Sequence, residues 1–180
     1  MIAVVDGDTI KVRLADGGRE TVRLVGIDTP ESRKPNTPVE CGAKQAGAAL
    51  SALVGRRDVT LVRDPSQDAR DRYGRTLAYV DVGSRDAGEE MVRSGWAEPY
   101  VYEVPFARLR EYRAAESAAK RRGAGVHGVC ESDFHRATLR SMLRSLANRE
   151  RSSRPRTRAT SRAGAARSAA ASPTRLAAAR

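Results

Sequence analysis

Apolar residues in the first part of the chain recur at every second position. Residues 2–5 form a short apolar run ahead of Asp6-Gly7-Asp8, and residues 9–14 then alternate, Ile10, Val12 and Leu14 against Thr9, Lys11 and Arg13. Asp16-Gly17-Gly18 marks a hairpin turn. Residues 21–27 are predicted as a third strand, with Val22, Leu24 and Gly26 toward one face and Arg23, Val25 and Ile27 toward the other. Residues 30–38 hold three prolines among polar neighbours and are expected to be loop. The period then lengthens: between Val39 and Val54, the positions Ala43, Ala46, Leu50 and Leu53 share one helical face, and Gly55 ends the run. Strands are predicted at 58–63 and 76–82 around a polar loop rich in Asp and Arg, followed by a short helix at 86–94 closed by Gly95. Residues 96–102 are mixed. Pro105 is expected to open a helix running to Arg122, with Phe106, Leu109, Tyr112, Ala115 and Ala119 on its buried side.

This order defines an α+β chain, mainly β: about five strands with about three helices inserted between and after them, which suits a small barrel such as the five-stranded OB-fold. Residues 1–130 are expected to be that domain. Beyond Cys130, Ser132 would cap an amphipathic helix within 131–150 that aligns Leu139, Met142, Leu143 and Leu146. Residues 151–180 are dominated by Arg, Ala and Ser and read as a low-complexity, disordered tail.

Charge changes the picture only at that end. The chain has 180 residues and a net charge of +11, yet residues 131–180 carry 12 basic and 3 acidic side chains. The basicity is mostly tail, which reads as a solvated extension that would also attract nucleic acid by counterion release. No run of about 18 apolar residues is present, so a membrane span is not expected. Two cysteines are too few for a four-cysteine zinc site. Cys41 and Cys130 either pair in a disulfide closing the helical part, as in a secreted protein, or remain two free thiols.

The candidate chemistry lies at strand ends. Asp8 precedes the second strand, and Asp28 and Glu31 follow the third. Asp8 and Asp28 would face each other if those strands pair, and close carboxylates are relieved by a hard divalent cation with oxygen ligands. No histidine or cysteine cluster offers a softer site, which favours calcium or magnesium over zinc. Gly7 would permit a tight bend beside Asp8. Arg23 in mid-strand and Arg75 after Tyr73-Gly74 add two guanidiniums, which bind phosphate through paired charge-assisted bonds. Together these groups form a phosphate-directed site. Trp96, Tyr79 and Tyr112 are expected to be packing residues, and His127 and His135 have no catalytic partner in the pattern.

Three segments carry a resemblance. Val5-Asp6-Gly7-Asp8-Thr9-Ile10, Arg23-Leu24-Val25-Gly26-Ile27-Asp28-Thr29-Pro30-Glu31 and Asp71-Arg72-Tyr73-Gly74-Arg75-Thr76-Leu77-Ala78-Tyr79 resemble, in order and spacing, the signature segments of the staphylococcal nuclease (thermonuclease) family. Val39-Glu40, Met91-Val92-Arg93-Ser94-Gly95, Tyr100-Val101-Tyr102 and Glu116 extend the likeness across roughly residues 2–130. The resemblance implies an OB-fold and calcium-dependent hydrolysis of DNA and RNA, and a monomer is expected. It further implies that Asp8, Asp28 and the Thr29 carbonyl bind Ca2+, that Glu31 orients or deprotonates the attacking water, and that Arg23 and Arg75 bind the scissile phosphate. Tyr73 and Tyr100 would contact the nucleotide, Arg72 a further phosphate, and Asp6 would neighbour the metal site without clearly ligating it.

Two departures accompany the likeness. The family's first strand begins several residues before the position of Ile2, and His127 stands where many relatives carry tryptophan. The first residues are expected to be strand and not export signal; a secreted protein is expected if the true start lies upstream, and a cytoplasmic one otherwise. Two further readings compete: a non-catalytic nucleic-acid-binding module, and a truncated, inactive nuclease.

Overall fold

A computed structural model describes residues 3–32 and 39–130. The expected helix within 131–150 and the tail at 151–180 lie outside the described residues.

Strands β1 (Ala3–Asp6), β2 (Thr9–Arg13) and β3 (Arg19–Leu24) form an antiparallel meander, with Ile10 opposite Val22 and Thr9 opposite Arg23. The hairpin between β2 and β3 turns at the predicted place: Gly17 takes a φ of 88°, and the Asp16 carboxylate accepts the Gly18 N–H at 2.8 Å. The third strand is shorter than alternation predicts. It ends at Leu24, Gly26 adopts a φ of 78°, and a separate two-residue strand β4 (Ile27–Asp28) follows. Val25 and Ile27 are consequently buried with Val22 and Leu24, not on the opposite face. A Cβ on Gly26 would stand 2.6 Å from the Phe106 ring, so the break is also where that aromatic ring packs.

Helix α1 (Ala43–Val54) packs across β1 and buries Ala46, Leu50 and Val54. It starts four residues later than the apolar spacing suggests, because Glu40 pairs with Glu31 and Gly42 is left-handed, with a φ of 86°. Strand β5 (Thr60–Val62) pairs antiparallel with β6 (Thr76–Val82), and β6 in turn lies parallel to β3. The sheet order β1-β2-β3-β6-β5 is that of a partly open OB barrel. Among the described residues no pairing joins β1 to β5. Strand β7 (Arg85–Asp86) adds to β6, and helix α2 (Ala87–Arg93) opens directly from it. Asp86 caps α2 by accepting the Gly88 N–H at 2.8 Å. Strand β8 (Glu98–Pro99) pairs with β4, helix α3 (Leu109–Arg122) packs against α2 and β8, and α4 (Val126–Val129) is a single turn.

Pro105 does not open α3. Residues 106–108 are held instead by a polar knot: the Asp64 carboxylate accepts the Ala107 N–H at 2.7 Å, the Ser66 hydroxyl at 2.7 Å and the Tyr79 hydroxyl. Phe106, Tyr79 and Tyr112 pack edge to face above it, so both tyrosines are core residues, as expected. Trp96 is partly buried against the same core. Burial opposes ionisation of Asp64, but the bonds from Tyr79, Ala107 and Ser66 outweigh it and bring its pKa down to about 2. A carboxyl held below its unfolded value stabilises fully above that value, and the gain is lost as pH falls through about 2. Asp64→Asn is therefore expected to cost about 2 kcal/mol at neutral pH. It should also flatten the loss of stability on acidification below about pH 4. Urea unfolding of both proteins from pH 7 to pH 2 checks this, and equal slopes would refute it.

The two cysteines are bonded: Cys41, just ahead of α1, joins Cys130 at the end of α4 across 89 residues of sequence. No free cysteine is left in the chain. Among the described residues no helix is long and apolar enough to cross a membrane.

Candidate active site

The site forms where the β1–β2 turn meets the ends of β3 and β6. Gly7 and Asp8 make that turn, and the Asp8 carbonyl accepts the Leu24 N–H at 2.9 Å. Gly7 serves by its smallness. A Cβ there would lie 2.7 Å from the Thr29 hydroxyl and 2.9 Å from Ala46, so only glycine lets Thr29 and α1 close on the turn.

Asp8 is buried, and both of its oxygens are engaged. One accepts Arg23 Nη1 at 2.6 Å and the Thr29 hydroxyl at 3.2 Å; the other accepts the Thr9 hydroxyl at 2.8 Å. Burial pushes the Asp8 carboxyl up, Arg23 and Thr9 pull it down, and Asp28 and Asp6 push it up again, leaving it raised. Arg23 also reaches Asp28, with Nη2 at 3.3 Å from a carboxylate oxygen, and Nη1 donates to the Ile27 carbonyl at 3.0 Å. The two aspartates expected to face each other thus do so through a guanidinium between them.

Arg75 joins from the other side. Its Nη1 donates to the Thr9 hydroxyl at 3.4 Å, and its Nε donates to Asp71 at 2.6 Å. The parallel pairing of β3 with β6, Val22 against Thr76, is what brings Arg23 and Arg75 to the same end of the sheet. Asp71 fixes the whole Asp71–Arg75 turn by also accepting the N–H groups of Tyr73 and Arg75, each at 2.9 Å. Burial works against its ionisation, but the Arg75 and Tyr73 bonds win and hold the carboxyl below its ordinary value. Asp71 and Thr9 were not singled out in the sequence. Asp71 opens the third signature segment and Thr9 lies in the first, and the resemblance attaches no role to either.

At the rim, Tyr73 is exposed and Tyr100 half-exposed. The Arg72 and Arg75 guanidinium carbons stand 4.9 Å and 5.3 Å from the Tyr73 ring centroid, and Arg72 Nη2 donates to the Tyr73 hydroxyl at 2.8 Å. Tyr100 is brought beside this end by its N–H donating to the Gly26 carbonyl at 2.9 Å. Glu31 is held through its backbone: its N–H donates to Glu40 Oε2 at 2.8 Å, and its carbonyl accepts the Glu40 N–H at 3.1 Å. Asp6 holds the next residue, accepting the Ser32 hydroxyl at 3.2 Å.

Among the described residues no three His, Cys, Asp or Glu side chains converge as a ready metal cage. The donors that do converge, Asp8, Asp28 and Thr29, offer oxygen only. Both carboxylates already share one cationic partner. That set fits a hard divalent cation in kind, and not zinc.

An open OB barrel with two carboxylates and two guanidiniums at one rim defines a class of protein with a phosphate-directed site. Comparison with known proteins places it within that class. The family described as Staphylococcal nuclease homologue matches residues 21–127. The thermonuclease of Staphylococcus hyicus is 36% identical over 121 residues, which cover 67% of this chain and 70% of the relative. Endonuclease YncB of Bacillus subtilis (strain 168) is 39% identical over 117 residues, 64% of this chain and 54% of the relative, so the chain spans about half of that protein. The thermonuclease of Staphylococcus intermedius is 41% identical over 99 residues, covering 55% of this chain and 57% of the relative. The chain belongs to the staphylococcal nuclease family, and its class is that of a nuclease hydrolase.

Proposed function

We propose that the protein is a calcium-dependent endonuclease that hydrolyses phosphodiester bonds of DNA and RNA by in-line attack of water on phosphorus. The observation that carries this reading is one continuous chain of polar contacts, Asp71–Arg75–Thr9–Asp8–Arg23–Asp28. It gathers both guanidiniums and both carboxylates at one rim. The relatives named thermonuclease and endonuclease support it.

Asp8, Asp28 and the Thr29 carbonyl would hold Ca2+, which when bound supplies charge neutralisation to the phosphate. Arg75 and Arg23 bind the phosphate oxygens and stabilise the charge that builds on them as the pentacovalent transition state forms. Glu31 orients a water opposite the leaving 5′ oxygen and takes its proton as the new P–O bond forms and the P–O5′ bond breaks, the departing O5′ taking a proton from solvent water. Tyr73 and Tyr100 offer ring surface to the nucleotide, and Arg72 a contact to a neighbouring phosphate.

The test is hydrolysis of single-stranded DNA by the purified chain with calcium, with EDTA, and by Glu31→Gln with calcium. Cleavage by the parent with calcium alone is expected. A folded parent that binds DNA without cleaving it would make the chain a binding module instead.

A further inference from the structure

Glu31 is fixed by a neighbour to which neither composition nor spacing gave a role. Glu40 is buried, yet its carboxylate faces no basic side chain in any bond of the described structure; Oε2 accepts the Glu31 N–H at 2.8 Å. In return the Glu40 N–H donates to the Glu31 carbonyl at 3.1 Å. A buried carboxylate on a backbone amide is a strong bond and a demanding one, since the charge must be desolvated to make it. Its effect is geometric: two bonds to the same residue stop the Glu31 backbone from pivoting, and this sets the direction in which its Cα–Cβ bond leaves the chain.

Glu40 has firm support of its own. Its carbonyl accepts the Ala43 N–H at 3.1 Å at the start of α1, and the next residue, Cys41, is covalently joined to Cys130. On the far side of Glu31, Asp6 grips Ser32 through its hydroxyl at 3.2 Å and is itself held by the Gly7 N–H at 2.9 Å. Asp6 also accepts the Ser32 N–H at 3.5 Å through its other oxygen, and so holds the backbone there as well.

We propose that Glu40 is a positioning residue for Glu31, holding its carboxylate on the line of water attack, with Asp6 as the counterpart clamp through Ser32. This rests on the reading of Glu31 as the group that orients and deprotonates water.

The test is a double-mutant cycle on the full chain with calcium and single-stranded DNA. Displacing a catalytic group by about 1 Å is worth about 10²-fold, so Glu40→Ala is expected to lower kcat by that order and leave KM within about twofold. Glu40→Gln keeps an oxygen for the Glu31 N–H and is expected to recover most of the parent rate. In the Glu31→Gln background, Glu40→Ala should cost nothing more, because the group it aims is gone. Should Glu40→Ala fail to fold, Glu40→Asp, one methylene too short, takes its place in the cycle. The proposal is overturned if Glu40→Ala cleaves at the parent rate, if Glu40→Gln is as slow as Glu40→Ala, or if the double variant is slower than Glu31→Gln by the full single-variant factor. Glu31→Gln measured alone separates the two layers: parent-like cleavage by it sinks the water-activating reading and this inference with it. A slow Glu31→Gln beside a parent-like Glu40→Ala sinks the inference only.

Discussion

Arg75→Ala is expected to lower kcat on single-stranded DNA by about 10²–10³-fold, about 3–4 kcal/mol of transition-state stabilisation, by analogy with removing one oxyanion donor. Arg75 is the cleaner of the two arginines to test. Its side chain lies at the rim, and its ion pair with Asp71 joins residues four apart within one turn. Arg23 instead sits between Asp8 and Asp28, and removing it strips the buried Asp8 of its main compensating charge, so a loss of rate would be mixed with a loss of structure. Arg75→Lys should recover little, because an ammonium cannot reproduce the planar fork that meets Asp71 through Nε and Thr9 through Nη1. Steady-state cleavage rates beside thermal melts decide the matter. Parent-like cleavage by a folded Arg75→Ala would remove Arg75 from the chemistry.

Replacing both cysteines by serine is expected to lower stability by about 2–5 kcal/mol, the range for removing a native disulfide, with the upper part favoured by the long loop. The bridge spans 89 residues and ties the start of α1 to the end of α4, closing a loop that holds β5 to β8 and all of α1, α2 and α3. In a chain of this size that shift moves the melting midpoint by about 5–15 °C. Reductant should lower the parent's midpoint by a similar amount and leave the Cys41→Ser/Cys130→Ser protein unchanged. Equal midpoints for the parent and the double variant would show that the bridge contributes nothing to stability.

The OB-fold was legible because its signals are local. Period-two alternation in residues 9–14, glycines at the hairpin, and the helical spacing of Ala46 and Leu50 each depend on a few neighbouring residues, and the sheet and helix that form obey them. The three signature segments likewise sit in short stretches of chain, so the family and the acidic and arginine residues could be read before any packing was known. Element ends were less legible. Gly26 breaks the third strand because the Phe106 ring needs its space, and α1 starts late because Glu40 is occupied with Glu31; both causes are distant in sequence.

What tertiary structure alone decided is how the site's parts meet. Alternation sets which face a side chain takes, but not which strand becomes its neighbour, so the parallel pairing of β3 and β6 that unites Arg23 with Arg75 is invisible in a periodic pattern. The same holds for Thr9 as the hydroxyl between Asp8 and Arg75, for Gly7 as a contact point with Thr29 and Ala46, and for the closed disulfide that spacing left open. Glu40 gives the sharpest contrast. Its charge suggests a solvated surface residue, and only burial against the Glu31 amide turns that charge into a fixed bond. Residue chemistry determines what each group can do, and close packing, which brings positions distant in the chain within bonding distance, determines which group it does it to.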